Sequence, residues 1–176
     1  SDKIKGKDNE NFVVSKVIEG VIQLQNTAEN KLMVSQYKNF NLNKVDRNLL
    51  DIFDEIQSGK YKSEIYLIRE SLDKGDEVNA SRIKNGLTAF TTSGTFSVSR
   101  TKENLITYSQ ILCLDFDHIL GEELEILREI INECEYTFAS FISPSGLGLK
   151  VFIKVNTNSE QHSTAYNQVA NYYKVL

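Results

Sequence analysis

Hydrophobic residues recur along the chain with two periodicities, and these predict which segments are helical and which are extended. Apolar residues three and four positions apart predict amphipathic helices, and the predicted helices cover residues 46–58, 62–74, 76–84, 122–133 and 159–176. Runs rich in β-branched and aromatic residues predict extended segments, which cover residues 12–25, 32–40, 87–98, 111–117, 136–142 and 149–155. The pattern predicts an α+β domain with a mixed or antiparallel sheet and flanking helices.

Short polar residues and glycines mark the ends of the predicted helices. Asp46 is predicted to cap the first helix, because an aspartate side chain accepts a hydrogen bond from a free amide of the first turn. Ser58 and Gly59 are expected to end that helix, and Gly75 the next one. The last two predicted strands are expected to form an antiparallel hairpin beside the strand 111–117.

The clearest candidate chemistry lies at the end of that strand. The apolar run from Ile111 to Leu114 leads into Asp115 and Asp117, and because side chains alternate along a strand, both carboxylates are expected on one face. Adjacent carboxylates repel each other unless a positive charge lies between them, and a divalent cation is the usual solution. The sequence therefore predicts a metal site. The alternative is a strand end whose acids face water or cap the next helix.

The connection between the last two predicted strands is rich in serine and glycine. Its hydroxyls, successive backbone amides and a following lysine are groups that bind phosphate. The predicted phosphate-binding residues are Ser143, Ser145, Gly146, Gly148 and Lys150. The alternatives are a flexible hairpin turn and a lysine that faces solvent.

Composition limits the class of protein and the contacts that it makes. A length of 176 residues is enough for one domain with a sizeable hydrophobic core. A net charge of −4 argues against general electrostatic binding to nucleic acid. Any contact with nucleic acid is therefore expected to be local. No apolar run is long enough for a membrane span, no signal peptide opens the chain, and the two cysteines lack metal-type spacing. These features predict a cytoplasmic protein with reduced thiols and no membrane partner.

A series of short motifs carries a resemblance to a known family. In order, they are Val34-Ser-Gln-Tyr-Lys-Asn-Phe40, Gly59-Lys-Tyr-Lys62, Ile83-Lys84, Ala89-Phe-Thr-Thr-Ser-Gly-Thr-Phe96, Asp115-Phe-Asp-His118 and Ser143-Pro-Ser-Gly-Leu-Gly-Leu-Lys150. The series resembles the N-terminal domain of VirE-type proteins from Bacteroidetes mobile elements, a branch of the archaeo-eukaryotic primase superfamily. The resemblance covers residues 32–176 and leaves residues 1–31 as an N-terminal extension. Its two last motifs are the most specific.

The resemblance implies a primase–polymerase module with an RRM-like core, often joined to a helicase-like ATPase. In such modules an acid-x-acid motif, here Asp115 and Asp117, holds Mg²⁺ or Mn²⁺. A serine/glycine loop, here Ser143, Ser145, Gly146 and Gly148, contacts the phosphates of a nucleoside triphosphate. The implied partners are the nucleotide, a DNA or RNA template and the helicase-like ATPase, in the same chain or another.

Two departures from the superfamily pattern change the expectation. Lys150 stands where primases usually have histidine, although the VirE-type branch is similar in having lysine there. No aspartate follows Asp117, and Glu160 is the only acid after Lys150, so the third acidic ligand is missing. We expect a domain truncated at its C-terminus and inactive alone. The other hypotheses are a catalytically inactive primase-like module that binds nucleic acid or a helicase, and a metal-dependent nuclease.

Overall fold

A computed structural model describes residues 16–17, 32–38 and 42–176 of the chain. These residues contain nine strands, numbered in chain order: β1 (Lys16–Val17), β2 (Met33–Lys38), β3 (Leu42–Asn48), β4 (Ala89–Phe90), β5 (Gly94–Phe96), β6 (Leu105–Tyr108), β7 (Ile111–Asp117), β8 (Thr137–Ile142) and β9 (Gly148–Lys154). They also contain five α-helices: α1 (Leu49–Gln57), α2 (Lys62–Asp73), α3 (Glu77–Gly86), α4 (Gly121–Glu133) and α5 (His162–Tyr173). Single 3₁₀ turns lie at Lys102–Asn104 and Ser159–Gln161.

The strands form three sheets, and every pairing among the described residues is antiparallel. The central sheet has the strand order β1-β8-β9-β7, and the smaller sheets have the orders β3-β2-β4 and β5-β6. The predicted α+β class and the hairpin beside β7 are confirmed, since β8 and β9 pair with each other and β9 pairs with β7.

Helix α1 covers one face of the central sheet and joins it to the β3-β2-β4 sheet. Its side chain Phe53 is 1% exposed and makes edge-on ring contacts with Phe90, Phe141 and Phe152. Because these rings come from β4, β8 and β9, burying Phe53 fixes α1 against both sheets at once. Helices α4 and α5 cover the opposite face through a separate apolar cluster that includes Ile131 and Tyr173.

The prediction that Asp46 caps the first helix is wrong. The cap is Asn48, whose side chain accepts a hydrogen bond from the amide of Leu50. Asp46 lies in β3, where it accepts a hydrogen bond of 2.7 Å from Ser35. Antiparallel pairing with β2 holds β3 extended as far as Asn48, so the helix begins later than the local pattern predicts.

Other segment boundaries differ more modestly. The extended segment 87–98 is divided between β4 and β5 of different sheets, and β6 was not predicted. The last helix begins at His162, after a 3₁₀ turn capped by Asn158. Of the predicted segment 12–25, the described residues contain only β1, which pairs with β8. The rest of that segment, and the end of the segment 32–40, lie outside the described residues.

Within residues 16–17, 32–38 and 42–176, each helix is too short or too polar to cross a bilayer.

Candidate functional site

The predicted acid pair lies at the end of an edge strand of the central sheet. Ile111, Leu112 and Leu114 of β7 are buried, and the strand then emerges, so that Asp115 and Asp117 are exposed. Leu114 and Phe116 contact the apolar cluster under α4 and α5. Since β7 pairs with β9 without a register shift, strand alternation directs both carboxylates to the other face, the one that α1 covers.

Lys150 supplies the positive charge nearest to this pair. It lies directly opposite Asp115 on β9, and its Nζ is 2.5 Å from Asp115 Oδ2. The two side chains are 31% and 44% exposed, respectively, so solvent screens their attraction. The sequence predicts that Lys150 binds phosphate. The structure instead pairs it with Asp115, which is partly neutralised before any metal binds.

The end of the serine/glycine loop (residues 143–148) lies against the acid pair. Gly148 is paired with Asp117, and a Cβ at Gly148 would lie 2.2 Å from the carbonyl oxygen of Phe116 and 3.2 Å from Asp117 Oδ1. Only glycine therefore allows the two strands to approach this closely. The structure brings the predicted loop and the predicted acids to the same end of the sheet.

The loop is a closed turn held by its own hydrogen bonds. The buried Ser143 donates its amide to Gly148 O at 2.8 Å, and Gly146, with a φ of +78°, donates to Ser143 O at 2.9 Å. The hydroxyls of Ser143 and Ser145 are 3.0 Å apart. Two of the amides expected to cradle phosphate are thus used within the loop. The amides of Ser145 and Leu147 donate no hydrogen bond to any described residue, and they are the ones available to an anion.

Arg69 of α2 contacts the serine/glycine loop, and the sequence alone did not predict this contact. Its guanidinium Nε is 3.4 Å from Pro144 O, and its Nη2 is 3.5 Å from Ser143 O. Burial lowers the pKa of Arg69, because removal from water disfavours the charged form. The side chain fixes the loop to α2 and places a cation behind it. No local sequence signal marks this residue, which is more than 70 positions from the loop.

The acid pair supplies only part of a metal coordination shell. Among the described residues, no group of three or more histidine, cysteine, aspartate or glutamate side chains could hold a metal. Mg²⁺ sites of enzymes that act on nucleotides commonly use one or two carboxylates, with phosphate oxygens and waters as the other ligands. Asp115 and Asp117 fit a metal of that kind, which would take its other ligands from water and from a bound phosphate.

These features define an α+β domain in which two carboxylates, a lysine and a serine/glycine hairpin meet at one end of an antiparallel sheet. Residues 82–176 match the protein family described as BT4734-like, N-terminal domain. The match covers more than half of the chain, including β7, the loop and β9, so the chain belongs to this family. No curated protein and no solved structure matches the chain.

Proposed function

We propose that this domain is the metal- and nucleotide-binding module of a primase/polymerase-type nucleotidyltransferase of a mobile-element replication protein. The observation that carries the proposal is the meeting of Asp115, Asp117 and the serine/glycine loop at one end of the central sheet. A nucleotide must reach both a metal and a phosphate-binding loop, and this arrangement allows it to do so. The motif resemblance to primase-type modules supports the same function.

Each group has a defined part in the proposal. Asp115 and Asp117 would hold Mg²⁺ or Mn²⁺, which in two-metal phosphoryl transfer polarises the triphosphate and activates the attacking hydroxyl. The amides of Ser145 and Leu147 would donate to phosphate oxygens. Lys150 would turn from Asp115 towards the phosphates once a metal neutralises that carboxylate. The template, DNA or RNA, and a helicase-like ATPase are the proposed macromolecular partners.

One observation favours a second candidate, a catalytically inactive module that keeps the fold and binds nucleic acid or a helicase. Lys150 already neutralises Asp115, and the described residues hold no larger cluster of metal ligands. A protein that has lost catalysis can keep such an ion pair without a metal.

Calorimetric titration of the chain with a nucleoside triphosphate, in Mn²⁺ and in EDTA, separates the two candidates. The proposal predicts weak binding that requires Mn²⁺ and is lost in the double variant Asp115→Asn/Asp117→Asn. Asp54→Asn, which changes an exposed aspartate of α1, is the matched control and should bind as the native chain does. Binding that is equal in EDTA, or unchanged in the double variant, would favour the inactive module.

Little primer extension is expected from this chain alone. The described residues lack a third acidic ligand near the pair, and misplacing a reacting group by about 1 Å can cost on the order of 100-fold in rate. Robust extension by these 176 residues would show that two carboxylates suffice.

A further inference from the structure

A cavity of about 430 Å³ lies between α1, α3 and the face of the central sheet that carries the acid pair. Small-molecule sites usually occupy about 300–1,000 Å³ and combine apolar walls with a few polar groups. Phe90, Phe141 and Phe152 are among the residues that line it. Phe152 is 1% exposed and Phe141 5% exposed, so the half-buried Phe90 is the ring of the three that is most open to a ligand. The rings of Phe90 and Phe152 are nearly parallel, with an interplanar angle of 22° and centroids 6.3 Å apart. Such a wall favours a flat, aromatic ligand.

The cavity is continuous with the candidate site. Lys150, which pairs with Asp115, also lines the cavity, and so does Pro144 of the serine/glycine loop. Lys84, at the C-terminal end of α3, lies on the rim. A ligand whose anionic end reached the loop and the acid pair would therefore extend its other end into the aromatic cavity.

Gln36 places a hydrogen-bond donor in the cavity wall. Its side chain is 6% exposed, and its Oε1 accepts a hydrogen bond of 3.1 Å from Arg47 Nη1. Because arginine only donates, this contact fixes the orientation of the amide. Nε2 then makes no hydrogen bond with any described residue, although Gln36 lines the cavity. Nε2 is not one of the fully buried side-chain atoms that lack a partner, so it is accessible from the cavity, and a ligand that offers an acceptor can take its hydrogen bond.

We propose that this cavity binds the base of the nucleotide. The base lies against the ring of Phe90, and Gln36 Nε2 donates a hydrogen bond to an acceptor on the base edge, either a ring nitrogen or a carbonyl oxygen. The inference rests on the proposed function, which assigns the phosphates to the loop and the acid pair. It adds the groups that contact the base, and because every base offers such an acceptor, all four nucleotides are expected to use the site.

A tryptophan reporter measures the occupancy of the cavity directly. The sequence contains no tryptophan, so the Phe90→Trp variant carries a single fluorophore in the cavity wall. This variant is titrated with each of the four ribonucleoside triphosphates and with sodium tripolyphosphate, in Mn²⁺. A stacked base is expected to change the emission and to make the triphosphates bind at least about 10-fold more tightly than tripolyphosphate, as base–aromatic stacking does elsewhere.

Gln36→Glu tests the donor with little change of shape. A glutamate keeps an oxygen for Arg47 but replaces the donor with an acceptor. In the reporter background, each ribonucleoside triphosphate should bind about 10-fold more weakly, because its base loses the hydrogen bond from Nε2. Tripolyphosphate, which has no base, should bind as before. Gln57→Glu, which makes the same change at an exposed position of α1, is the matched control and should leave nucleotide affinity unchanged.

The outcomes separate this inference from the proposed function. Equal affinity for tripolyphosphate and the nucleotides, or unchanged nucleotide affinity in Gln36→Glu, overturns the base site and leaves the metal and phosphate site standing. Quenching by the nucleotides that persists in EDTA supports the base site and contradicts the metal-dependent function. If Gln36→Glu does not fold, quenching of the Phe90→Trp variant by free guanosine or uridine still decides the matter, and no quenching refutes the base site.

Discussion

Replacing Asp115 with asparagine is expected to change the free energy of unfolding by less than about 1 kcal/mol. The contact that it weakens is short, with 2.5 Å between Lys150 Nζ and Asp115 Oδ2, but the side chains are 31% and 44% exposed, respectively. Exposed ion pairs contribute about 0.2–1 kcal/mol, whereas breaking a buried pair costs about 3–5 kcal/mol. For a chain of this length, the change corresponds to a fall in Tm of no more than about 4 °C.

Urea denaturation followed by circular dichroism measures this change, and a double-mutant cycle isolates the pair. The cycle compares the native chain with Asp115→Asn, Lys150→Met and the double variant. We expect a coupling energy below about 1 kcal/mol, because water screens the pair. A coupling above about 2 kcal/mol would mean that the pair is a structural element, and the reasoning that leaves Asp115 available to a metal would be refuted.

Three further predictions concern the fold around the site. Gly148→Ala should destabilise the protein by about 1–3 kcal/mol, since the new Cβ would lie 2.2 Å from the carbonyl oxygen of Phe116; an unchanged urea midpoint would contradict that close approach. Phe53→Ala should lower the free energy of unfolding by about 3–5 kcal/mol, because Phe53 is 1% exposed and lies between two sheets. A decrease below about 1 kcal/mol in the same assay would show that Phe53 does not hold the two sheets together. The hydrogen bonds from Arg47 lower the pKa of Glu55 from 4.5 to about 2, so this carboxylate stabilises the fold at neutral pH and loses its effect as pH falls from 4.5 through 2. At pH 7 the free energy of unfolding of the native chain should exceed that of Glu55→Gln by about 2 kcal/mol, after allowance for solvent screening. At pH 2 the two values should be almost equal, and a difference that does not depend on pH would refute this explanation.

The acid pair and the loop could be predicted from sequence because each depends on local pattern. Strand alternation places Asp115 and Asp117 on one face wherever β7 lies in the fold, and serine, proline and glycine together predict a turn. The acid pair and the loop meet because the hairpin predicted beside β7 forms in the structure.

The remaining features depend on tertiary contacts that no local pattern encodes. Lys150 pairs with Asp115 because of the exact register between β7 and β9. Arg69 reaches the loop from a helix more than 70 residues away, and Gln36 lies in a β-strand whose sequence gives no reason to expect a cavity beside it. For Asp46, in contrast, the local pattern predicts a helix cap that does not form, because strand pairing keeps this residue extended.

The central claim is that Asp115 and Asp117 jointly hold a divalent metal when a nucleotide is bound. Crystals of the chain grown with Mn²⁺ and a non-hydrolysable nucleoside triphosphate, measured at a wavelength where manganese scatters anomalously, test it directly. An anomalous peak is expected within coordination distance of oxygen atoms from both carboxylates and of a nucleotide phosphate, with Lys150 turned away from Asp115. A bound nucleotide with no manganese at the acid pair, and with the contact between Lys150 and Asp115 intact, would contradict it.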